Sequence, residues 1–191
     1  MEKKVIDRRI RKTKNALKAG LIELMLEKSI NDISVKELTE RVDLNRGTFY
    51  LHYKDIFDLL EKLEEEILQE FTKILDSYPL DVIYEHPLPL LEEVFLFLKN
   101  NSSMFTVLLS NNGDIYFINK IKSIIKNKCF TTWGLIFNNK ESYIFDYFYS
   151  YTLSGFIGLF SCWLNNGLKE SPEEMALLAE KFILNGLDVL K

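Results

Sequence analysis

Side chains able to bind base edges or phosphates are concentrated in residues 45–54. Asn45, Arg46, Thr48 and Tyr50 carry an amide, a guanidinium and two hydroxyl groups, which are the donors and acceptors that nucleic-acid binding requires. Gly47 has no side chain, so the backbone there is able to approach a ligand closely. This segment is therefore the first candidate for a binding surface.

Two short helices joined by a tight turn are expected to position these residues. The spacing of apolar residues predicts a helix over residues 34–42, a turn at 43–45 and a second helix over 46–51. Ser34 with Glu37 three positions later is the capping-box pattern of a helix start. The pair has the dimensions of a helix-turn-helix, whose short second helix enters a major groove about 12 Å wide.

Positive charge is concentrated in the first third of the chain. Residues 1–54 hold 13 Lys and Arg against 8 Asp and Glu, whereas residues 55–191 hold 11 against 20. Five basic side chains lie near the start of the predicted first helix: Arg8, Arg9, Arg11, Lys12 and Lys14. They are able to neutralise phosphates and supply salt-dependent affinity, and a solvated helix start is the alternative interpretation.

Three stretches of the N-terminal third together resemble a known family. They are residues 7–13 (DRRIRKT), 33–38 (ISVKEL) and 45–55 (NRGTFYLHYKD). This pattern resembles the DNA-binding domain of TetR/AcrR-type transcriptional regulators, and its Thr-Phe-Tyr-x-His-Tyr core is the specific part. The resemblance is strong to about residue 60 and extends more weakly to the C-terminal third, at residues 163–167 and 171–175.

The resemblance implies roles for individual residues. Ser34 would cap the first helix of the motif and bind a phosphate, with Lys36 close by. The major groove would receive Asn45, Arg46, Gly47 and Thr48, with Arg46 facing a guanine edge. The sugar-phosphate backbone would be held by Tyr50, His52, Tyr53 and Lys54. Packing roles for Tyr50 and Tyr53, and a structural role for His52, remain alternatives; Ile56 stands where family members often carry Lys.

The chain as a whole is predicted to be all-α. We expect a three-helix helix-turn-helix domain at residues 1–54, a connecting helix from about 55, and a helical bundle for dimerisation and ligand binding within 55–191. Helices are predicted over residues 7–27, 55–76, 90–99, 103–109, 114–137 (with a break near Cys129), 142–165 and 172–191, and a linker over 77–89. Eight Gly and four Pro argue against an all-β fold, and two distant cysteines indicate the reducing cytoplasm.

Residues 147–168 carry no formal charge, which raises the alternative of a membrane span. Polar side chains scattered along the segment favour a helix buried in protein instead. Its small residues Ser154, Gly155, Gly158 and Cys162 predict close approach of a second helix. We therefore expect a homodimer in which this helix and the last one, including Leu178, form a four-helix bundle without contact with a membrane.

The resemblance also implies a cavity for a small apolar or aromatic effector. The candidate lining is Phe71, Phe95, Met104, Phe105, Phe117 and Tyr147. Ordinary core packing is the alternative for each of these residues, because apolar residues at helical spacing usually face a core.

The predicted function is a homodimeric bacterial repressor that binds a palindromic double-stranded DNA operator and is released by a small effector. The alternative is an adaptor or co-activator of the same shape that has no ligand pocket. No glycine-rich phosphate loop, catalytic triad or paired-histidine spacing occurs in the sequence, so neither an enzyme nor a cofactor or metal site is expected.

Overall fold

The computed structural model describes residues 2–79, 86–109, 115–136 and 142–185. These residues form nine α-helices and no strand, which confirms the predicted all-α class. The helices are α1 (Glu2–Glu27), α2 (Val35–Arg41), α3 (Arg46–Tyr50), α4 (Ile56–Ser77), α5 (Leu88–Asn100), α6 (Ser102–Leu108), α7 (Ile115–Ile136), α8 (Ser142–Asn165) and α9 (Pro172–Asn185). A short 3-10 turn, Ile30–Asp32, separates α1 from α2.

The observed bounds differ from the predicted ones in a few places. α1 begins at Glu2, five residues earlier than predicted. α7 continues through Cys129, so the predicted break there is wrong. Residues 80–85 of the predicted linker, and residues 186–191 of the predicted last helix, lie outside the described residues.

The chain divides into two compact units. The first comprises Met1–Ile67 with Thr106–Gly113, and the second comprises Leu68–Phe105 with Asp114–Lys191. The unit boundary thus falls inside α4, whereas the predicted domain boundary precedes that helix. A division at residue 54 for DNA binding remains a prediction.

Leucines and one phenylalanine form the core of the first unit. Fully buried side chains come from α1, α2, α3 and α4: Leu17, Leu21, Leu24, Leu38, Phe49 and Leu59. The two short helices have too few residues to be stable alone, so this shared apolar burial is what stabilises them.

Gly20 allows α2 to pack closely on α1. A Cβ at this position would lie 2.4 Å from Val42 Cγ1 and 3.1 Å from Leu38 Cδ1. Ion pairs join the same two helices: Arg41 binds both carboxylate oxygens of Glu27, at 2.9 and 3.0 Å. α2 is therefore fixed to α1 by steric fit on one side and by charge on the other.

Aromatic side chains dominate the core of the second unit. Phe95 on α5 is fully buried between Phe156 and Trp163 of α8, with ring centroids 5.1 and 5.6 Å away. α9 packs against α5 through buried Met175, Ala176 and Ala179. Each buried aromatic ring contributes a large apolar surface to this core.

The turn between α8 and α9 has the features that its sequence predicts. Gly167 adopts a φ of +79°, and the N–H of Leu168 donates to the Trp163 carbonyl at 3.0 Å. Ser171 and Glu174 form both bonds of a capping box, at 3.2 and 2.7 Å. Among the described residues, no helix combines the length and apolar character needed to cross a membrane.

Candidate nucleic-acid interface

Ser34 fixes the start of α2, the first helix of the motif. Its exposed hydroxyl accepts the N–H of Glu37 at 3.2 Å. The Glu37 carboxylate binds Lys28 at 2.6 Å, which ties the helix start to the end of α1. Lys36 is exposed beside this cap, and its ammonium lies 3.9 Å from Glu40.

The turn between α2 and α3 is tightened by a left-handed residue. Asp43 has a φ of 52°, a region that Asp tolerates better than most residues. The N–H of Leu44 then reaches back to the Thr39 carbonyl at 2.9 Å. This closure sets the direction in which α3 leaves the turn.

Asn45 is committed to the start of α3. Its side-chain oxygen accepts the N–H of Gly47 at 2.7 Å. The amide nitrogen remains as the group that this side chain presents outward. Asn45 is therefore suited to donate to base or phosphate acceptors.

α3 has one buried face and one exposed face. Phe49 is fully buried and lies against Tyr53, with ring centroids 5.7 Å apart. Arg46 and Gly47 are exposed, Thr48 is half-buried and Tyr50 is 59% exposed. No ion pair involves Arg46 within the described part of the chain, so its guanidinium is available for an external acceptor.

His52, Tyr53 and Lys54, in the loop after α3, differ in how far they are exposed to solvent. Lys54 is exposed and His52 is half-buried; burial and the nearby charge of Lys14 lower the pKa of His52. Tyr53 is only 3% exposed, and burial, with Glu66 and Asp58, raises the pKa of Tyr53 to about 12. The position of Tyr53 agrees with the packing alternative, and its phosphate contact stays a prediction.

The basic residues of α1 mostly face solvent. Arg8, Arg9, Arg11 and Lys12 are exposed, and Lys14 is half-buried. Ile56, where the family resemblance leads one to expect Lys, is buried. Exposed positive charge is carried by the start of α1, Lys36, Arg46 and Lys54, and contact of these residues with phosphate remains a prediction.

Two features of this region were not predicted from the sequence, one exposed apolar side chain and one ion pair. Leu51 at the end of α3 is 79% exposed, which apolarity alone does not predict. Asp58 and Lys62 form an ion pair of 2.9 Å beside the loop that follows α3. Their four-residue spacing on a predicted helix was the available signal.

The candidate dimer residues lie on the outside of the single chain. Ser154, Gly155, Gly158 and Cys162 are exposed on α8, and Leu178 on α9 is half-buried. A Cβ at Gly155 or Gly158 would meet no atom within 4 Å. These small residues of α8 thus leave room for another helix, and the dimer interface itself remains a prediction.

Five of the six candidate pocket residues are buried in the second unit: Phe71, Phe95, Met104, Phe105 and Phe117. The rings of Phe71, Phe95 and Phe105 belong to an aromatic series, in which Phe97 lies 5.6 Å from Phe71 and 6.0 Å from Phe105. This dense packing agrees with the core alternative. Tyr147 is 75% exposed, so the structure does not place it with the other five.

Comparison with known proteins identifies the family. A model of the TetR type, described as a transcriptional regulator C-terminal region, matches residues 85–185, more than half of the chain. The chain belongs to the TetR family of transcriptional regulators. Its members are regulators and not enzymes.

One curated relative shares a shorter segment. An uncharacterised helix-turn-helix transcriptional regulator of Bacillus subtilis (strain 168), YxbF, is 32% identical over 59 residues. The match covers 31% of this chain and only 16% of that protein.

Solved structures of TetR-type regulators share the fold. A TetR regulator of Streptococcus agalactiae 2603V is 24% identical, with a TM-score of 0.61, over 94% of this chain and 97% of that one. FadR of Bacillus subtilis in complex with stearoyl-CoA is 18% identical, with a TM-score of 0.64, over 90% and 97% of the two chains. At these identities the likeness extends to the fold alone.

Proposed function

We propose that this TetR-family chain regulates transcription by reading duplex DNA with α3. The orientation of that helix is the main support: Phe49 is buried, whereas Arg46, Gly47 and Tyr50 face outward. A helix anchored on one face and polar on the other is able to enter a major groove without losing its packing.

Within this proposal the exposed residues have separate tasks. Arg46 donates to a guanine edge, and the outward amide of Asn45 donates to a base or phosphate acceptor. Thr48 reaches a base edge, and Gly47 permits the close approach. The phosphate contacts that fix position come from Ser34, Lys36, Tyr50, His52 and Lys54.

We further propose that the protein is a homodimeric repressor of a palindromic operator. The exposed small residues of α8 support a second copy at this face, and Tyr147 and Tyr151 beside them are 75% and 80% exposed. Two α3 helices related by a twofold axis would read two half-sites about one helical turn apart. Once one α3 helix of the dimer is bound, the second binds at a high effective concentration, so the dimer has a higher affinity than one copy alone.

Release by a small apolar effector completes the proposal. One fold relative was solved with stearoyl-CoA, which supports an acyl-type ligand. Because Phe95 packs on Trp163 and Phe97 packs on Phe105, a ligand that enters between these rings must displace aromatic side chains. An adaptor or co-activator without a pocket is the competing function, favoured by this same packing.

DNA titration tests the proposal directly. The full-length protein is titrated with duplexes from upstream of its own gene, at several salt concentrations, and binding should weaken steeply with salt. Arg46→Ala should cost about 1–3 kcal/mol on the specific site and relax one base preference. Lys169→Ala, which removes an exposed charge from the second unit, is the control and should bind as the wild type does. Absence of any bound duplex at low salt would favour the adaptor.

The dimer is tested at Gly158. Leucine at this position would fill the space that a partner helix needs, so Gly158→Leu should shift sedimentation toward the monomer. Glu61→Leu adds the same side chain to an exposed site of the first unit and should leave the dimer intact. An unchanged dimer in Gly158→Leu would show that the interface lies elsewhere.

A further inference from the structure

The Asp58 carboxylate on α4 binds the loop that follows α3. Asp58 Oδ2 accepts the backbone N–H of Lys54 at 2.9 Å and the ammonium of Lys62 at 2.9 Å. The N–H of Asp58 donates in turn to Asp55 Oδ1 at 2.8 Å. The Asp58 side chain is only 14% exposed, so these bonds are partly shielded from water.

Lys62 extends the same network to the two preceding loop residues. Its ammonium lies 3.4 Å from the His52 carbonyl oxygen and 5.2 Å from the centroid of the Tyr53 ring. One cation therefore contacts the backbone of His52, the ring of Tyr53 and the carboxylate that holds Lys54. Of these three loop residues, His52 and Lys54 belong to the proposed phosphate-binding set, and Tyr53 is buried.

The network makes the loop depend on α4. Residues 51–55 lie outside any helix. The N–H groups of His52 and Tyr53 donate to the Phe49 carbonyl, at 2.9 and 3.0 Å, and the contacts with Asp58 and Lys62 add restraint at the His52 carbonyl and at Lys54. Charge-assisted bonds to a carboxylate are stronger than neutral ones, so they restrict such a loop effectively.

We propose that Asp58 and Lys62 are a positioning pair, which fixes this loop so that His52 and Lys54 face the phosphates, and which does not itself touch DNA. This inference rests on the proposed DNA-binding function. Asp58, although acidic, then contributes favourably to the binding of DNA, a polyanion.

The sign of the effect at Asp58 separates this inference from simple electrostatics. Removal of a negative charge near the interface should strengthen DNA binding if Coulomb repulsion alone matters. If Asp58 positions the loop, its removal should weaken binding instead. Lys62 is distinguished by salt dependence, because a lysine that neutralises a phosphate contributes about 0.9 to the slope of log K against log salt.

The experiment measures anisotropy of a duplex that the wild type binds, for full-length Asp58→Asn, Lys62→Met and the double variant. We expect each single change to weaken binding about threefold to tenfold, with the wild-type salt slope retained. The double variant should bind no more weakly than the weaker single variant, because the two residues act as a unit. Lys62→Arg should recover part of the loss, and Glu61→Gln, an exposed acid on the same helix, should bind as well as the wild type or better.

Asp58→Asn that binds as well as or better than the wild type would overturn the inference. So would multiplicative losses in the double variant, or a salt slope lowered by about one in Lys62→Met. Should Asp58→Asn lose helix content, amide exchange of Lys54 in Lys62→Met decides: faster exchange supports the pair and unchanged exchange contradicts it. A wild type that binds no duplex refutes the proposed function itself, which is a separate outcome.

Discussion

The two compact units are stabilised by different kinds of contact. In the first, the helices that carry the candidate interface have seven and five residues, and caps, ion pairs and one close glycine contact supplement their buried apolar side chains. In the second, helices of up to 24 residues pack through a series of aromatic rings. Apolar burial therefore stabilises both units, whereas the direction of the candidate binding side chains depends on a few directional contacts found in the first unit.

Replacement of one buried phenylalanine in each unit should give the largest effects. Phe49→Ala and Phe95→Ala each remove a fully buried ring, so each should lower the free energy of unfolding by about 3–5 kcal/mol. Both tryptophans belong to the second unit, so urea unfolding followed by fluorescence reports Phe95→Ala. Amide exchange in α1–α3 reports Phe49→Ala.

An exposed phenylalanine serves as the control for Phe49→Ala. Phe57 is 55% exposed, so Phe57→Ala should change the free energy of unfolding by less than about 1 kcal/mol. Equal losses for Phe57→Ala and Phe49→Ala would mean that the assigned core of the first unit is wrong.

Gly20→Ala should give the next largest effect, confined to the first unit. The new methyl would lie 2.4 Å from Val42 Cγ1, and the repacking should cost about 1–3 kcal/mol. Val42→Ala removes the colliding atom, so Gly20→Ala made in that background should cost much less. The measurement is urea unfolding of the four proteins by circular dichroism; additive losses would show that Val42 does not cause the strain.

Features set by nearby residues were predictable from the sequence. Ser171 and Glu174 lie three positions apart, and the capping box follows from that spacing alone. The helix-turn-helix was predicted in the same way, from short-range spacing and a family motif. The same motif predicts a DNA contact for Arg46; the structure leaves Arg46 exposed, and the contact itself stays a prediction.

Features set by distant residues were not predictable in this way. The tight contact at Gly20 involves Val42, and the shielding of Tyr53 involves residues of other helices. Tyr147 was assigned to a pocket because of its ring, yet it is exposed. Periodicity reports that a residue type suits a core, but only tertiary packing decides which face of a helix meets it.

Acidification should destabilise the first unit through the ion pair between Arg41 and Glu27, which titrates, unlike the aromatic contacts of the second unit. The hydrogen bond from Arg41 lowers the pKa of Glu27 below its ordinary value of 4.5. Because the folded-state pKa lies below the unfolded one, the pair stabilises the fold above the unfolded pKa, and this stabilisation is lost as the pH falls through the folded pKa. The free energy of unfolding of the first unit should therefore decrease as the pH is lowered below about 5.

Glu27→Gln isolates this contribution, since glutamine keeps the shape but does not titrate. The variant should be less stable than the wild type at neutral pH and should lose less stability on acidification, as measured by amide exchange in α1 and α2. The loss of stability is expected to be smaller than in the phenylalanine and Gly20 variants, because Arg41 and Glu27 are exposed to solvent that screens their charges. An identical pH profile for the two proteins would show that the Arg41–Glu27 contact does not fix α2, and that Gly20 and the buried leucines are sufficient.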